Sequence, residues 1–251
     1  MKNYKILKLI CISVFAGLLF EVGAVGAPAE TAKNDSAILA LDDKYAKISQ
    51  AIEAKLKGVA VRQPSNNLDE LYKQAEDADK ELRKLATEIA KQTQGEPVLV
   101  RLKSRQRAAE KVNADYGGDA SRVLDISRAT IKFDTIDDLY KALAKIDSSP
   151  NIKIIRMKDR FLKPGSDGYR DLLLNLKMPN GFITELQLHL KQILAVKKEG
   201  HKIYTGMQAI DRKVETEKRD FTAAELEQKK RLMEESKALY GQAFESALKK
   251  K

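Results

Sequence analysis

Pro179-Asn180-Gly181 stands between two apolar runs, Tyr169 to Met178 and Phe182 to His189. Asn and Gly both accept the positive φ of a tight antiparallel turn, so Asn-Gly between such runs predicts a β-hairpin. Once this hairpin is placed, the elements before it need a sheet to join. Ala129-Thr130-Ile131-Lys132-Phe133 alternates at the strand period, and Asp134-Thr135 then starts a helix running through Lys145. Ile152 to Lys158 reads as a second strand. Strands and helices that alternate and then give way to a hairpin predict an α+β fold, a mixed sheet with helices on one side.

Helical segments flank this zone. Leu41, Tyr45, Ile48, Ile52 and Leu56 recur every three or four residues. Pro64-Ser65-Asn66-Asn67 interrupts the pattern, and Asn67 caps a second helix carrying Leu68, Leu71, Ala75, Leu82, Leu85 and Ile89. Gly95-Glu96-Pro97 ends it. From about Ala209 onward the chain reverts to charged helix. At the other end, Lys2, Lys5 and Lys8 precede an apolar run from Leu9 to Phe20 and the small-residue stretch Gly23–Ala29. That is the layout of a secretory signal peptide with release after Ala29, and the run is too short for a span of about 20 residues. The chain therefore divides into 1–29, a helical region 30–97, a core 98–212 and a C-terminal helical region 213–251. The signal predicts export, periplasmic or secreted.

Charge narrows the chemistry. Lys plus Arg number 46 against 36 Asp plus Glu. Release of residues 1–29 takes away three lysines and Glu21, leaving 43 basic and 35 acidic residues and a charge of +8. That balance favours polyanionic partners such as nucleotides, nucleic acid or phospholipid headgroups. Two histidines and the single Cys11 exclude a His- or Cys-rich metal cluster and a disulfide framework.

Five constellations in the core carry chemistry. Arg101, Lys103, Ser104, Arg107 and Lys111 gather at a helix start, where guanidinium, ammonium and backbone N–H groups would hold a polyphosphate; a solvated helix start has the same composition. Asp125 lies between Leu124 and Ile126 and needs a partner, either a hard cation or a turn backbone. Gly168-Tyr169-Arg170-Asp171 follows the loop from Lys163; the tyrosine could stack on a base and the arginine pair with phosphate, or the segment could simply begin a strand. Glu185, Gln187 and His189 project from one strand face while Leu186 and Leu188 enter the core, as in a site lining or a solvent-exposed sheet face. His201-Lys202 follows a helical stretch and means little alone.

In this order and spacing the five resemble the synthetase domain of the RelA/SpoT family, alarmone synthetases that transfer pyrophosphate from ATP to a nucleotide 3′-hydroxyl. Arg101-x-Lys103-Ser104 with Lys111 is similar to the family's phosphate-binding loop and helix, and Asp125-Ile126 to the start of its D-I strand. Lys158-Asp159, Gly168-Tyr169-Arg170, Glu185-Leu186-Gln187 and His201-Lys202 fall where that family has K-D, G-Y-R, E-x-Q and H-K. The likeness spans about 115 residues. It implies a nucleotidyltransferase-like core, with Arg101, Lys103, Ser104, Arg107, Lys111 and Lys158 on the ATP phosphates. It also implies Mg2+ on Asp125 and Glu185, Glu185 as base and Gln187 as its orienting partner. Tyr169, Arg170, His189, His201 and Lys202 fall on the acceptor side, which would take GTP, GDP, another nucleotide or tRNA.

The departures lie on that side. Asp171 and Leu173 stand where the family has Ser and His, Gly165 replaces a lysine and His189 an arginine. The family's degradative half is absent, since it needs a His-Asp metal motif and both histidines sit elsewhere. With the export signal, these readings predict a secreted pyrophosphokinase, for (p)ppGpp-type synthesis or as a toxin-like effector. The alternatives are a non-catalytic nucleotide- or polyanion-binding module of the same fold, and a basic envelope protein whose helical arms bind a partner or an anionic surface.

Overall fold

The structure is a computed structural model that describes residue 43 and residues 45–250. The signal peptide expected over 1–29 lies outside the described residues. A helix over 45–55 (α1) is followed by α2, Leu68–Gln92. Asn67 caps α2 as expected, its side chain accepting the N–H groups of Asp69 and Glu70. Next come β1 (Glu96–Leu99), α3 (Arg105–Tyr116), β2 (Arg128–Phe133), α4 (Ile136–Asp147) and β3 (Lys153–Asp159). β4 (Leu172–Lys177) and β5 (Ile183–Leu190) form the hairpin, and the long helices α5 (Lys191–Glu217) and α6 (Ala223–Leu248) complete the described chain. Elements thus run across positions 97/98 and 212/213 of the sequence-based division. No helix among the described residues is long and apolar enough to cross a membrane.

The five strands make one mixed sheet in the order β1-β2-β5-β4-β3, with β2 parallel to β5 and the other pairs antiparallel. The fold is α+β, as the sequence predicts. β1 was not expected. Gly95-Glu96-Pro97 ends α2 but also opens this edge strand, and Pro97 is tolerated there because an edge position need not donate to a second neighbour. The hairpin turns through Gly181 at φ 84°, with the Gly181 N–H donating to the Met178 carbonyl.

The sheet has two chemically distinct faces. Ala129, Ile131 and Phe133 of β2, Leu172, Leu174 and Leu176 of β4, and Leu186, Leu188 and Leu190 of β5 are buried toward α2 and α4. Each such leucine, isoleucine or phenylalanine contributes roughly 1.5–3 kcal/mol by leaving water. The opposite face carries Arg128 and Thr130 of β2 beside Glu185 and Gln187 of β5, with Leu173 and Asn175 of β4 in register next to them.

β3 reaches this polar face through an irregularity. Ile154 pairs with Leu176 on the apolar side, but Arg156 pairs with Asn175, so the register shifts by one residue between them. Since a one-residue shift flips every side chain, the shift turns Arg156 and Lys158 onto the polar face.

α5 and α6 pack as a pair and lean on this same side of the molecule, so helices cover both faces of the sheet and not one side as the sequence predicts. Thr222 and Glu225 form a reciprocal capping box that starts α6 and divides the helical C-terminal region into two.

Candidate active site

Asp125 and Glu185 line one cavity of about 140 Å3, together with Lys111, Tyr116, Arg122, Arg156, Lys158 and Asn175. Asp125 enters from the segment before β2. Its Oδ2 takes Lys103 Nζ at 3.0 Å and Lys111 Nζ at 3.1 Å. Burial opposes the charge, but the two lysines outweigh it and hold the Asp125 carboxyl below its usual value. Its Oδ1 is buried without a hydrogen-bond partner.

Glu185 projects from β5 and accepts Gln187 Nε2 at 2.7 Å. Burial, then the Asp125 charge, pushes its carboxyl above its usual value. The two carboxylates therefore feel one another across the cavity. A partnerless carboxylate oxygen beside a second carboxylate that resists ionisation is a donor set suited to a hard divalent cation completed by substrate oxygens. Among the described residues no group of three or more His, Cys, Asp or Glu side chains exists that would form an all-protein cage.

The cations are unevenly satisfied. Lys103 and Lys111 are held by Asp125, whereas Arg122 lies over the Tyr116 ring at 4.9 Å. Arg156 and Lys158 line the cavity and, like Arg128 beside Glu185, make no ion pair among the described residues. Desolvation, followed by the charges of Arg156 and Arg160, holds the Lys158 ammonium below its usual value. Unpaired cations on a sheet floor suit a ligand carrying several negative charges.

A chain of hydrogen bonds leads from Glu185 along the strand. Gln187 donates to Glu185, so its Oε1 faces His189 Nε2 at 3.3 Å. That nitrogen also lies 3.2 Å from Tyr169 Oη, which donates to Asp171 Oδ2 at 3.3 Å. Asp171 pairs in turn with Arg160. Both the Glu185-Gln187-His189 row and the inward Leu186 and Leu188 are as the alternation predicts. His189, however, is fully buried; burial first, then Lys197 and Arg160, pushes its imidazole down to about 3, so it is neutral at physiological pH.

The other expected site residues fall in three places. Ser104 caps α3, its Oγ accepting the Arg107 N–H, while Arg101 and Arg107 are exposed. Arg170 turns inward, donating to the Phe161 carbonyl at 2.8 Å with its guanidinium 4.3 Å from the Phe244 ring centre. His201 and Lys202 are exposed on α5, the first stacked on Tyr204 and the second paired with Glu199 at 2.8 Å. Among the described residues no hydrogen bond, ion pair or ring contact joins these two to the Glu185-Gln187-His189 row. Asp159, next to Lys158, is a buried fold residue that accepts from Ser49 and Tyr140.

Tyr169 sits in the loop before β4, set by Gly168 at φ 83° and by Asp167, whose side chain accepts the Tyr169 N–H. Its ring meets His189 and Tyr240 edge-on at 6.0 and 5.3 Å between centres. It lines a larger cavity of about 650 Å3 between this loop and α5 and α6, with Arg160, Tyr204, Met207 and Gln208. Arg156, Lys197, Arg160 and Asn175 were missed from sequence. Arg156 shares the period-2 alternation of Lys158, which places the two on one face, but the register shift that makes it the polar face carries no local signal, and neither does Lys197.

The sheet and its flanking helices are similar in fold to solved structures. Among solved structures, the complex of the type VI effector Tas1 and its immunity protein aligns at a TM-score of 0.55 and 20% identity. That alignment covers 70% of this chain and 96% of that one. Small alarmone synthetase 2 from Bacillus subtilis aligns at 0.49 and 21% identity, over 71% and 92% of the two chains. A GTP pyrophosphokinase family protein from Streptococcus pneumoniae aligns at 0.45 and 17%, over 72% and 95%. No family model and no curated protein matches the sequence.

Proposed function

We propose that the protein is an ATP-dependent pyrophosphokinase. The observation that carries this reading is the pair Asp125 and Glu185 facing one cavity ringed by Lys111, Arg122, Arg156 and Lys158, with Lys103 paired to Asp125. Transfer of a charged group asks a protein mainly for positioning and for opposite charge around the phosphates, and the cavity is built from those groups.

In the proposed reaction the acceptor's 3′-oxygen attacks the β-phosphorus of ATP. The bond from that phosphorus to the α–β bridging oxygen breaks, and AMP leaves. Lys103 and Lys111 exchange their pairing with Asp125 for the donor phosphates. Arg122, Arg156 and Lys158 offset the charge that builds on the transferred group. Glu185, when ionised, takes the proton of the 3′-hydroxyl, and Gln187 keeps its carboxylate aimed. Asp125 and Glu185 would hold Mg2+, which when bound supplies charge neutralisation across the donor phosphates.

The export signal expected at the N-terminus and the shared fold with a type VI effector both support action on a target cell. The test is to incubate the purified protein with ATP, Mg2+ and a panel of GTP, GDP, ATP, ADP and tRNA. AMP with a 3′-pyrophosphorylated product is expected, and lost in Glu185→Gln and Asp125→Asn. ATP binding with no AMP from any acceptor would favour the non-catalytic nucleotide-binding module instead.

A further inference from the structure

Lys197 of α5 carries its ammonium onto the polar face of the sheet, 3.4 Å from His189 Nε2 and 5.3 Å from the centre of the Tyr169 ring. The neighbouring groups leave it without an acceptor. Gln187 presents its carbonyl oxygen to His189 Nε2, and in the tautomer that answers it, with the proton on Nε2, that nitrogen has no lone pair to offer Lys197. Asp171 is engaged by Arg160 and Tyr169, and Glu185 by Gln187. No carboxylate among the described residues pairs with Lys197.

A half-buried ammonium in such a place costs the fold free energy, since part of its hydration is lost and the Tyr169 ring and the more distant carboxylates replace it only in part. Burial accordingly pushes its pKa down. Lys158 and Arg160 lie near the same carboxylates, so three cations share this ground. Lys197 lies beside Tyr169, which lines the larger cavity, and is joined through His189 and Gln187 to Glu185 on the smaller one. An anion bound here would restore what the ammonium lost, and would sit beside the aromatic ring and close to the candidate base.

We propose that Lys197 is a phosphate-binding residue of the acceptor side, its ammonium holding a 5′-phosphate of a nucleotide that lies along Tyr169. The identity of that ligand as the acceptor rests on the pyrophosphokinase reading; the anion site itself does not.

The test uses the full chain and its variants Lys197→Met and Lys197→Arg. With α,β-methylene-ATP and Mg2+ saturating the donor side, guanosine, GMP and GDP, and the adenine series, are titrated by calorimetry. The wild type should bind more tightly as phosphates are added. Lys197→Met should lose about tenfold or more for the phosphorylated forms, the size of one charge-assisted contact, and leave the nucleosides unchanged. Lys197→Arg should keep most of the phosphate dependence. Lys197→Met should also melt at or above the wild-type temperature, because it removes an unpaired buried charge.

Unchanged phosphate dependence in Lys197→Met overturns the proposal. So does an equal loss for the ATP analogue and the acceptor series together with a lower melting temperature, which marks a structural lysine. The two readings fail separately. Phosphate dependence lost in Lys197→Met from a protein that releases no AMP keeps this site and removes the enzyme. AMP release with an unchanged acceptor KM in Lys197→Met keeps the enzyme and removes this site.

Discussion

Asp125→Asn keeps the shape of the side chain and removes the charge that two lysines share. In the wild type the carboxylate is 14% exposed and accepts both ammonium groups at 3.0 and 3.1 Å. Hydrogen bonds to charged groups are worth about 1.5–3 kcal/mol each, but desolvation of three partly buried charges offsets a large part of their sum. A net loss of about 2 kcal/mol follows, which for a chain of this size lowers the melting temperature by about 4–8 °C. The pH dependence has a defined sign. Because the folded carboxyl is held below its usual value, its contribution is present above the unfolded pKa and disappears as pH falls through the folded one. Thermal melts from pH 7 down to pH 3 should therefore show the two proteins converging on the acid side. At pH 7 the variant should also lose Mg2+-dependent turnover by more than about 100-fold. A variant that melts like the wild type at pH 7, or a gap that widens toward acid, would refute the paired arrangement; retained turnover would refute the catalytic role.

Glu185→Gln should act with the opposite sign on stability. The stability that the raised carboxyl contributes is complete below its unfolded value and is lost as pH rises through the folded one, so the amide should melt higher at pH 7 and like the wild type near pH 4. Turnover should fall by about 100-fold or more, read as AMP release. In Gly200→Ala the added methyl would lie 2.0 Å from Tyr240 Oη, forcing Tyr240 away from Tyr169 at a cost of about 1–3 kcal/mol. Melting and nucleotide titration should show lower stability and weaker acceptor binding, with the ATP analogue unaffected. Gly168→Ala meets the Lys237 Cα at 2.9 Å at a φ of 83° and should disturb the same loop in the same two assays.

The parts legible in the sequence were those written in short-range pattern. Asn67 as a cap, Asn180-Gly181 as a turn, and the alternation that sends Leu186 and Leu188 inward while Glu185 and Gln187 face out all depend on neighbours a few residues apart. β1 escaped because a four-residue edge strand beginning at Glu96-Pro97 has the composition of a helix terminator. The strand over Ile152 to Lys158 was found, yet the register shift that turns Arg156 and Lys158 to the polar face arises from pairing with β4 and leaves no mark in the local sequence. The row from Glu185 to His189 reads as a site lining or a solvent-exposed sheet face, but the burial of His189 depends on α5 and Tyr169 closing over it. Arg170 and Ser104 carry the right chemistry for phosphate and spend it on Phe161 and a helix cap. Lys197 reaches the site from a helix that begins after the last strand, so only the packing of α5 on the sheet brings it into view.

The most direct measurement is the fate of ATP. Purified protein with ATP, Mg2+ and the nucleotide and tRNA panel should release AMP in step with a 3′-pyrophosphorylated acceptor, and Glu185→Gln, folded and binding the ATP analogue, should release none. Intact ATP across the whole panel, or equal AMP release from Glu185→Gln, would contradict the assignment of this cavity as a pyrophosphokinase site.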